Sequence, residues 1–478
     1  MIFNSLDFAV FLPIVFLLYW GLKKSLKLQN LLIVAASYLF YGWWDWRFLS
    51  LIIFSTLVDF FVGKSLQIEE SKVKRKVLLW TSILVNLGFL GFFKYFNFFL
   101  DNFVSAFSFF GMEWSMGSLN IILPVGISFY TFQTLSYTID IYKKKITPTK
   151  DLIAFSAFVS FFPQLVAGPI ERASHLLPQF STKRMVTRTD FVDAFHKIFW
   201  GLFKKVVIAD RLAIVVNEIY NYPEEYHGFT LLLGTVLFAF QIYCDFSGYS
   251  EIAIGTARLF GFDLMTNFRT PYFSKSLGEF WRRWHISLST WFRDYLYIPL
   301  GGNRTSKHRW YLNTMIVFVV SGFWHGANWT FIVWGAIHGL VLILEAQFKI
   351  KTPVAVIGKA SRILFTFFVV CLGWVFFRAN SMNDAMYILG DMANPSNYTF
   401  NQISLYVIPV VKNTVFSIDI FLSLTLTLFL VISEYAFSKF KQLNEINFWY
   451  RLPFYVLGVW SILVLGAFEK NEFIYFQF

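Results

Sequence analysis

The chain has 478 residues, of which 56% are hydrophobic, 21% are aromatic and only 15% are charged. Soluble cores cannot bury this much apolar surface, so the composition excludes an ordinary soluble enzyme and indicates that lipid surrounds most of the protein. The formal charge is +12, but the basic residues stand in short runs between apolar segments, which is typical of cytoplasmic loops of membrane proteins. Nucleic acid is therefore not an expected partner, whereas the lipid bilayer is.

Apolar segments that are long enough to cross a bilayer, or nearly so, recur along the whole chain. They lie near residues 6–22, 30–46, 48–63, 77–100, 119–141, 151–167, 191–219, 229–260, 311–324, 328–348, 361–378, 416–436 and 449–468. A hydrocarbon core of about 30 Å needs about 20 helical residues, so we expect about eleven true spans, with the shorter segments tilted or re-entrant. The sequence thus predicts an all-α polytopic membrane protein.

No linker rich in Pro, Ser or Gly divides the chain, and neither half clearly repeats the other. The missing repeat argues against a two-fold symmetric transporter. We therefore predict a single membrane domain over residues 1–478. Its parts are N-terminal helices (1–150), a core that carries the polar motifs (151–348) and C-terminal helices (349–478).

Runs of Lys and Arg alternate with uncharged turns in the first part of the chain. Such runs follow the first, third and fifth apolar segments, near residues 23–27, 72–76 and 143–145. Because Lys and Arg are retained on the cytoplasmic side, this alternation predicts an extracytoplasmic N-terminus. The first segment lacks a basic region and a cleavage site, so we expect it to remain as an anchor.

Polar residues concentrate between about residues 241 and 345, and ionisable groups at membrane depth indicate function by default. His325 ends an apolar run and is followed by Gly326. Desolvation favours a neutral imidazole with an available lone pair, which a general base needs, and the glycine is predicted to let a substrate approach the backbone. The alternative for His325 is a packing histidine held by hydrogen bonds.

His285 lies in a second polar segment, where aromatic residues repeat at helical intervals, at Trp281, Trp284, Trp291 and Tyr295. This spacing predicts one helix that lines a polar cavity and presents His285 to it. The alternative is an amphipathic helix at the membrane surface, with its tryptophans at head-group level.

Neither a metal site nor a nucleotide-phosphate loop is expected. His325 and His338 are 13 residues apart, which would place them on different faces of one helix. Cys244 and Cys371 lie inside apolar stretches and form no metal-binding spacing, and the chain contains neither HExxH nor GxxxxGK[ST].

Five stretches carry a resemblance to a known family, at residues 160–172, 243–250, 280–295, 297–304 and 323–326. In these stretches, and in their order along the chain, the sequence closely resembles the membrane-bound O-acyltransferase (MBOAT) family. Within it the chain is most similar to the AlgI-like bacterial branch, which O-acetylates alginate-type polysaccharides. The run Pro-Gln-Leu-Val-Ala-Gly-Pro at 163–169 favours this branch over the one that transfers D-alanine to teichoic acid.

The resemblance implies a helical bundle with re-entrant segments around a central tunnel, in the bacterial cytoplasmic membrane. It implies that His325 is the catalytic histidine and that His285 is the second motif histidine. It also implies acetyl-CoA as a donor substrate from the cytosol, with no tightly bound cofactor. The acetyl group would pass to an extracytoplasmic acetyltransferase or acceptor protein that esterifies a polysaccharide.

Further residues of the polar region are candidates for binding the donor or the acceptor. Arg282 and Arg283 could attract the coenzyme A phosphates, although ordinary cytoplasmic-face charge explains them as well. The other candidates are Trp324, Asn328, Ser287 and Asp245. Two alternatives for the function stay open: transfer of D-alanine or a longer acyl group by the same fold, and non-enzymatic export of polysaccharide precursors.

Overall fold

The computed structural model describes residues 1–111, 117–348, 355–399, 414–439, 448–467 and 473–474. Within these ranges the chain is helical and has no strand. Six helical segments there are long and apolar enough to cross a membrane. A helix satisfies all its backbone polar groups internally, as lipid requires. The predicted all-α membrane fold is confirmed, while the number of spans stays a prediction.

The longer α-helices of the described ranges overlap the predicted apolar segments, whereas several shorter ones lie outside them. The α-helices are α1 Leu6–Gly21, α2 Leu26–Asp45, α3 Leu49–Ile68, α4 Lys72–Leu90, α5 Phe96–Phe109, α6 Ile127–Tyr142, α7 Leu152–Ser160, α8 Phe162–Leu165, α9 Ala173–Leu176, α10 Arg188–Leu202, α11 Asp210–Asn221, α12 Phe229–Leu259, α13 Leu277–Arg283, α14 Ile286–Phe292, α15 Lys307–His325, α16 Trp329–Gln347, α17 Val356–Arg378, α18 Met382–Ala393, α19 Thr414–Lys439 and α20 Phe448–Leu465. Short π-helical turns occupy Gly91–Tyr95, Phe203–Ala209 and Arg293–Tyr297.

The chain forms two compact units. The first comprises residues 1–198 and 252–265, and the second comprises residues 199–251 and 266–478. We refer to them as the first unit and the second unit, and each is described by itself.

In the first unit, α3, α4 and α6 pack together around buried polar side chains. The carboxylate of Asp59 accepts hydrogen bonds from the Ser82 hydroxyl at 2.5 Å and from the Asn86 amide at 2.9 Å. Thr138 of α6 donates to the same carboxylate at 3.3 Å. These bonds satisfy an acidic group that would otherwise be costly in an apolar interior, and they connect the three helices.

In the second unit, α15 and α16 form a tight antiparallel hairpin. A Cβ atom on Gly322 would lie 2.2 Å from the carbonyl oxygen of Phe331, and one on Gly335 would lie 2.2 Å from that of Phe318. Only glycine allows the two backbones to come this close. The hairpin matters for function because its turn begins directly after His325.

Candidate active site

His325 is the last residue of α15, and its side chain is 3% exposed. Three aromatic rings surround it. The ring centroids of Trp324, Trp334 and Phe377 lie 4.9, 5.1 and 5.3 Å from that of His325. This enclosure fixes the orientation of the imidazole and keeps bulk water away from it, as a site for chemistry on a reactive ester requires.

His285 lies where the structure departs from the predicted single helix. The helix ends at Arg283, and a new one starts at Ile286, because His285 adopts a left-handed backbone conformation with φ +43°. Such a conformation is uncommon for a residue with a side chain, and strained residues of this kind cluster at functional sites. The prediction of one continuous helix over Trp281–Tyr295 is therefore wrong, and His285 at the break is completely buried.

The backbone of residues 267–269 compensates for the break in the helix. The carbonyl oxygen of Asn267 accepts a hydrogen bond from the amide of Ile286 at 2.9 Å, and the amide of Arg269 donates to the carbonyl of Arg283 at 2.9 Å. These bonds replace those that the interruption removes. The extended segment thus holds His285 in its unusual conformation.

The side chain of Asn267 orients His285 as well. Its Oδ1 accepts hydrogen bonds from the hydroxyl of Ser287 at 2.9 Å and from the backbone amide of Ser287 at 3.3 Å, so the atom facing them must be the oxygen. His285 Nδ1 lies 3.1 Å from the same oxygen and must donate to it. The neutral ring therefore carries its proton on Nδ1 and its lone pair on Nε2. Sequence reasoning missed Asn267, which stands 18 residues before His285.

Burial lowers the pKa of the His285 imidazole to about 3. His285 stands between two short helices, outside the six helical segments that could cross a membrane. A ring with this pKa is neutral at physiological pH, so it can accept a proton only transiently.

The structure brings the two predicted histidines together. The ring centroids of His285 and His325 are 6.4 Å apart, with the ring planes at 57°. Trp324, a predicted site residue, lies beside both, since its centroid is 6.3 Å from His285 and 4.9 Å from His325. Phe246 of α12 packs edge-on against His285 at 4.6 Å. The result is a pair of buried imidazoles in an aromatic chamber.

A cavity of about 680 Å³ lies next to this pair. Residues of α13, α14, α15 and α16 line it, and so does the π-helical turn after α14. Neither histidine is among its described lining residues, but Ser321 precedes His325 by one helical turn and Ile286 directly follows His285. Two residues that line the cavity are therefore close neighbours of the histidines along the chain.

The two candidate arginines have different surroundings. Arg282 lines the cavity, together with Arg293. Arg283 instead donates to the Glu279 carboxylate at 2.6 Å and makes longer contacts of 3.4 Å to Thr270. The charge of Arg283 is thus paired within its own segment, so of the two only Arg282 is directed to the cavity.

Three other predicted binding residues have structural contacts of their own. Ser287 donates its hydroxyl to Asn267 and so supports the orientation of His285. Asn328 caps the N-terminus of α16, where its side-chain oxygen accepts the amide of Thr330 at 3.1 Å. Asp245 is buried, and its Oδ2 accepts the amide of Ile474 at 2.7 Å. Of these three residues, Ser287 alone contacts Asn267, the hydrogen-bond partner of His285.

Glycine is required at position 326 for a different reason from the one predicted. A Cβ atom at this position would lie 2.1 Å from the ring of Phe331. The free space beside the backbone is therefore filled by Phe331, and the prediction that it admits a substrate is wrong. Glycine is needed there so that the hairpin can close over His325.

His338 lies on α16, whereas His325 ends α15, so the two do not share one helix as the spacing suggested. The ring of Trp334 separates them, at 5.1 Å from His325 and 5.0 Å from His338. Trp281 packs edge-on against His338 at 5.2 Å. His338 thus supports the aromatic wall behind His325. Among the described residues no group of His, Cys, Asp and Glu has the arrangement of a metal site.

A buried ion cluster, which we call the lysine cluster, lies on the π-helical turn Phe203–Ala209 and its neighbours. Lys205 Nζ is 2.7 Å from a carboxylate oxygen of Asp210 and 2.7 Å from one of Asp245. The adjacent Lys204 is 3.1 Å from Glu251. Sequence reasoning singled out Asp245 but not its lysine partner, because a lysine in an apolar run gives no indication of which carboxylate it meets.

The sequence matches the family model described as "MBOAT, membrane-bound O-acyltransferase family" over residues 143–383, which include both histidines. It is 40% identical over 441 residues to the "Probable alginate O-acetylase AlgI" of Azotobacter vinelandii, covering 89% of this chain and 87% of that protein. It is 35% identical to the "Peptidoglycan O-acetyltransferase" of Helicobacter pylori, over 82% and 80% of the two chains. The "Teichoic acid D-alanyltransferase" of Bacillus subtilis is 29% identical, over 54% and 69%.

Proposed function

This chain belongs to the membrane-bound O-acyltransferase family and is an O-acyltransferase of the membrane, and on that premise we propose that it moves an acetyl group from cytosolic acetyl-CoA toward an extracytoplasmic polysaccharide. The relatives named as O-acetylases match more of the chain, at higher identity, than the one named as a D-alanyltransferase. This difference supports acetyl over D-alanine as the transferred group.

The observation that carries the proposal is the buried pair of histidines, with ring centroids 6.4 Å apart. The acceptor hydroxyl needs a base, and the thioester needs a site without bulk water. His325 is enclosed by Trp324, Trp334 and Phe377. We assign it the role of general base, as the resemblance implies.

The proposed step is an acyl transfer with balanced protons. The acceptor hydroxyl oxygen attacks the carbonyl carbon of the thioester while His325 takes the hydroxyl proton. The tetrahedral intermediate then collapses, the carbon–sulfur bond breaks, and the proton passes to the leaving thiolate. His285 is the neutral neighbour with its lone pair on Nε2, set by its bond to Asn267. We propose that it positions the acceptor or the proton in this step.

We assign the donor to the cavity that Arg282 lines, whereas Arg293, which also lines it, is paired with the Asp294 carboxylate at 2.7 Å. Guanidinium groups bind phosphate oxygens through paired, charge-assisted hydrogen bonds, so they suit the phosphates of coenzyme A. Ser321 and Ile286, which line the cavity, are close neighbours of His325 and His285 along the chain, and we propose that the thioester reaches the imidazoles past them. Acetyl-CoA acts here as a substrate, and we propose no tightly bound cofactor.

For the acceptor side we propose an extracytoplasmic partner protein that carries the acetyl group to the sugar hydroxyls of the polymer. The similarity to an alginate O-acetylase and to a peptidoglycan O-acetyltransferase supports a polysaccharide of the cell envelope. The proposed location is the bacterial cytoplasmic membrane, with the N-terminus outside. This orientation rests on the alternating Lys and Arg runs.

The test uses purified protein in vesicles with labelled acetyl-CoA and the acceptor partner. His325→Ala should lose about 10²–10⁴-fold in transfer rate, the usual contribution of a positioned base. His308→Ala is the matched control, since His308 is an exposed histidine on the same helix. Transfer by His325→Ala at the control's rate would remove this histidine from the mechanism.

The same vesicles separate the alternatives for the reaction. Consumption of acetyl-CoA that depends on the partner supports the proposal. Turnover of a D-alanyl or longer-acyl thioester, with acetyl-CoA untouched, would change the substrate but keep the fold and the histidines. Movement of polymer without consumption of any thioester would replace the proposal with that of an exporter.

A further inference from the structure

A second cavity, of about 870 Å³, lies in the first unit, far along the sequence from the histidines. We call it the basic cavity. Three segments line it: the end of α3 with the start of α4, the loop that follows α6, and residues 173–182. The proposed acyl transfer uses none of these residues, so the cavity calls for a separate explanation.

The charge of the basic cavity has one sign. Its cationic lining residues are Arg75, Lys144 and Lys145, and none of the described lining residues is acidic. Two carboxylates lie near the cavity outside the lining: Asp140, 3.7 Å from Lys145, and Glu69, 4.0 Å from Lys74. The cavity is therefore an electropositive concave site, which attracts anions.

The arginine of the basic cavity is a fixed part of the fold. Arg75 is 9% exposed, and its guanidinium donates to the carbonyl oxygens of Leu66, Glu69 and Tyr142. These bonds tie the loop between α3 and α4 to the end of α6. Because carbonyl oxygens carry no full charge, the arginine keeps its positive charge at the wall of the cavity.

Lys144 gives a second, independent indication. It adopts a left-handed conformation with φ +57° at the end of α6. Its amide donates to Ile141 at 2.9 Å, and the amide of Lys145 donates to the carbonyl of Asp140 at 2.8 Å, which is the bonding of a helix ending that normally requires glycine. A lysine in this conformation is strained relative to glycine. The strain indicates that the side chain of Lys144 has a role that glycine could not fill.

The rest of the lining suits a phosphate group with an apolar part attached. Hydroxyl groups of Thr147, Ser174 and Ser181 line the cavity and can donate to phosphate oxygens. Apolar side chains, including those of Leu66 and Ile146, line it as well. Charge, hydroxyl donors and apolar walls together match an amphiphilic phosphate better than a bare inorganic ion.

We infer that the basic cavity binds a phosphate-bearing ligand, with Lys144 as the flexible charge contact and Arg75 as the fixed one. Two sources share this chemistry: the head group of an anionic phospholipid, and a soluble phosphate carried by a nucleotide. Basic segments next to membrane helices attract anionic lipids, and the cavity lies at the ends of α3 and α6. The inference stands independently of the proposed acyl transfer.

The decisive variant is Lys144→Gly, because it separates structure from binding. Glycine removes the strain of the left-handed position, so the variant should unfold at the same temperature as the wild type or a higher one. It also removes the charge contact, so phosphate binding should weaken about tenfold. Lys150→Gly is the matched control: Lys150 is exposed, lies in the same loop and does not line the cavity. Arg75→Ala is unsuitable, since it would also untie the loop.

The experiment has two arms on the full-length purified protein. In the first, native mass spectrometry measures how much phosphatidylglycerol the detergent-solubilised protein retains, compared with phosphatidylcholine. In the second, calorimetry measures the binding of adenosine 3′,5′-bisphosphate. A loss in Lys144→Gly, with Lys150→Gly unchanged, supports the inference and identifies the source by the arm in which it appears. Wild-type affinity of Lys144→Gly in both arms, or no selective binding by the wild type in either, overturns it.

Discussion

The histidine pair and the lysine cluster are both buried in the second unit, yet they keep polar groups in an apolar interior in opposite ways. His285 and His325 are enclosed by aromatic rings, and Asn267 orients the first through a neutral amide. Lys205 instead has a carboxylate oxygen of Asp210 and one of Asp245 at 2.7 Å each. A neutral imidazole can take up a proton and give it back, whereas the ammonium group of Lys205 is held between two carboxyl groups. The difference assigns the chemistry to the histidines and a structural role to the lysine cluster.

The lysine cluster supports the histidines from a distance. Asp245 accepts the amide of Ile474 and so fixes the segment 473–474. Phe473 in that segment packs against Tyr249 at 4.7 Å and Phe246 at 5.7 Å, and Phe246 in turn contacts His285. The lysine cluster thus helps to hold Phe473 and Phe246 in place beside the neutral imidazole of His285.

The largest effect should follow from breaking the lysine cluster. Lys205→Met leaves Asp210 and Asp245 facing each other without their cation. Removing one partner of a buried ion pair typically costs about 3–5 kcal/mol, so we expect a strong loss of folded protein. The yield and the melting temperature of the purified protein measure this.

A matched variant distinguishes charge from shape. Lys205→Met combined with Asp210→Asn and Asp245→Asn removes the uncompensated charges, and it should recover most of the stability. The protein that does fold should retain transfer activity, since an asparagine at position 245 can still accept the amide of Ile474. Equal instability of the single and the triple variant would show that the packing of Lys205, and not its charge, is what matters.

A second prediction concerns the orientation of His285. Asn267→Leu removes the acceptor that holds the proton on Nδ1. Hydrogen-bond partners that fix the tautomer of a metal-bound histidine contribute about 10–100-fold, and we expect a loss of that size in kcat. The KM for the donor should change little, because Asn267 is not among the residues that line the donor cavity.

Ser250→Ala is the control for this prediction. It removes the hydrogen bond that Nδ2 of Asn267 donates to the Ser250 hydroxyl at 3.2 Å. The bond between Oδ1 of Asn267 and His285 stays in place. A loss in Ser250→Ala as large as that in Asn267→Leu would indicate general loosening of the segment instead of a change of tautomer.

Much of the fold follows from the sequence, because apolar segments of sufficient length can only be helices in lipid. The predicted segments near 229–260 and 328–348 match α12 Phe229–Leu259 and α16 Trp329–Gln347 closely. The prediction of one helix over Trp281–Tyr295 was wrong because the aromatic residues keep their helical spacing on both sides of a break in the backbone at a single residue. His285 breaks the helix without a Gly or Pro to indicate it.

The site was predictable as a set of residue types but not as a set of contacts. The sequence singled out His285 and His325 from polar residues inside apolar runs. It could not show that Asn267 fixes a tautomer, since that needs the distance between two segments. It also gave Gly326 the wrong neighbour, because a glycine needed for close approach does not reveal whether a substrate or Phe331 comes close.

A third prediction tests how tightly the aromatic chamber is closed. Gly326→Ala would bring a methyl group to 2.1 Å from the Phe331 ring, so the ring must move. Overpacking of this kind costs about 1–3 kcal/mol, and we expect a matching fall in melting temperature together with reduced transfer. Adding Phe331→Leu should restore part of both. A single variant with wild-type stability would mean that the hairpin is looser than its backbone contacts indicate.

The smallest predicted effect concerns a third histidine. It extends the comparison between neutral and charged groups, because this histidine is charged. His175 in the first unit has its Nε2 3.6 Å from Asp263 and its Nδ1 2.7 Å from Glu171. These two carboxylates raise the pKa of His175 to about 10, from its ordinary value of 6.5. A histidine between acidic groups is thus an ion-pair partner, whereas one among aromatic rings, such as His285, is a neutral base.

The pH dependence of stability should reveal this charge. Because the pKa is raised on folding, the contribution of His175 is fully present below about pH 6.5 and is lost as the pH rises through about 10. The wild type should therefore melt above His175→Gln near neutral pH, and the difference should shrink steadily toward pH 10. His175 is partly exposed, so solvent screening keeps the effect small. The exposed His308→Gln serves as the control. A difference between wild type and His175→Gln that stays constant over this pH range would mean that His175 acts by packing alone, and the ion pair would then add nothing to the stability of the fold.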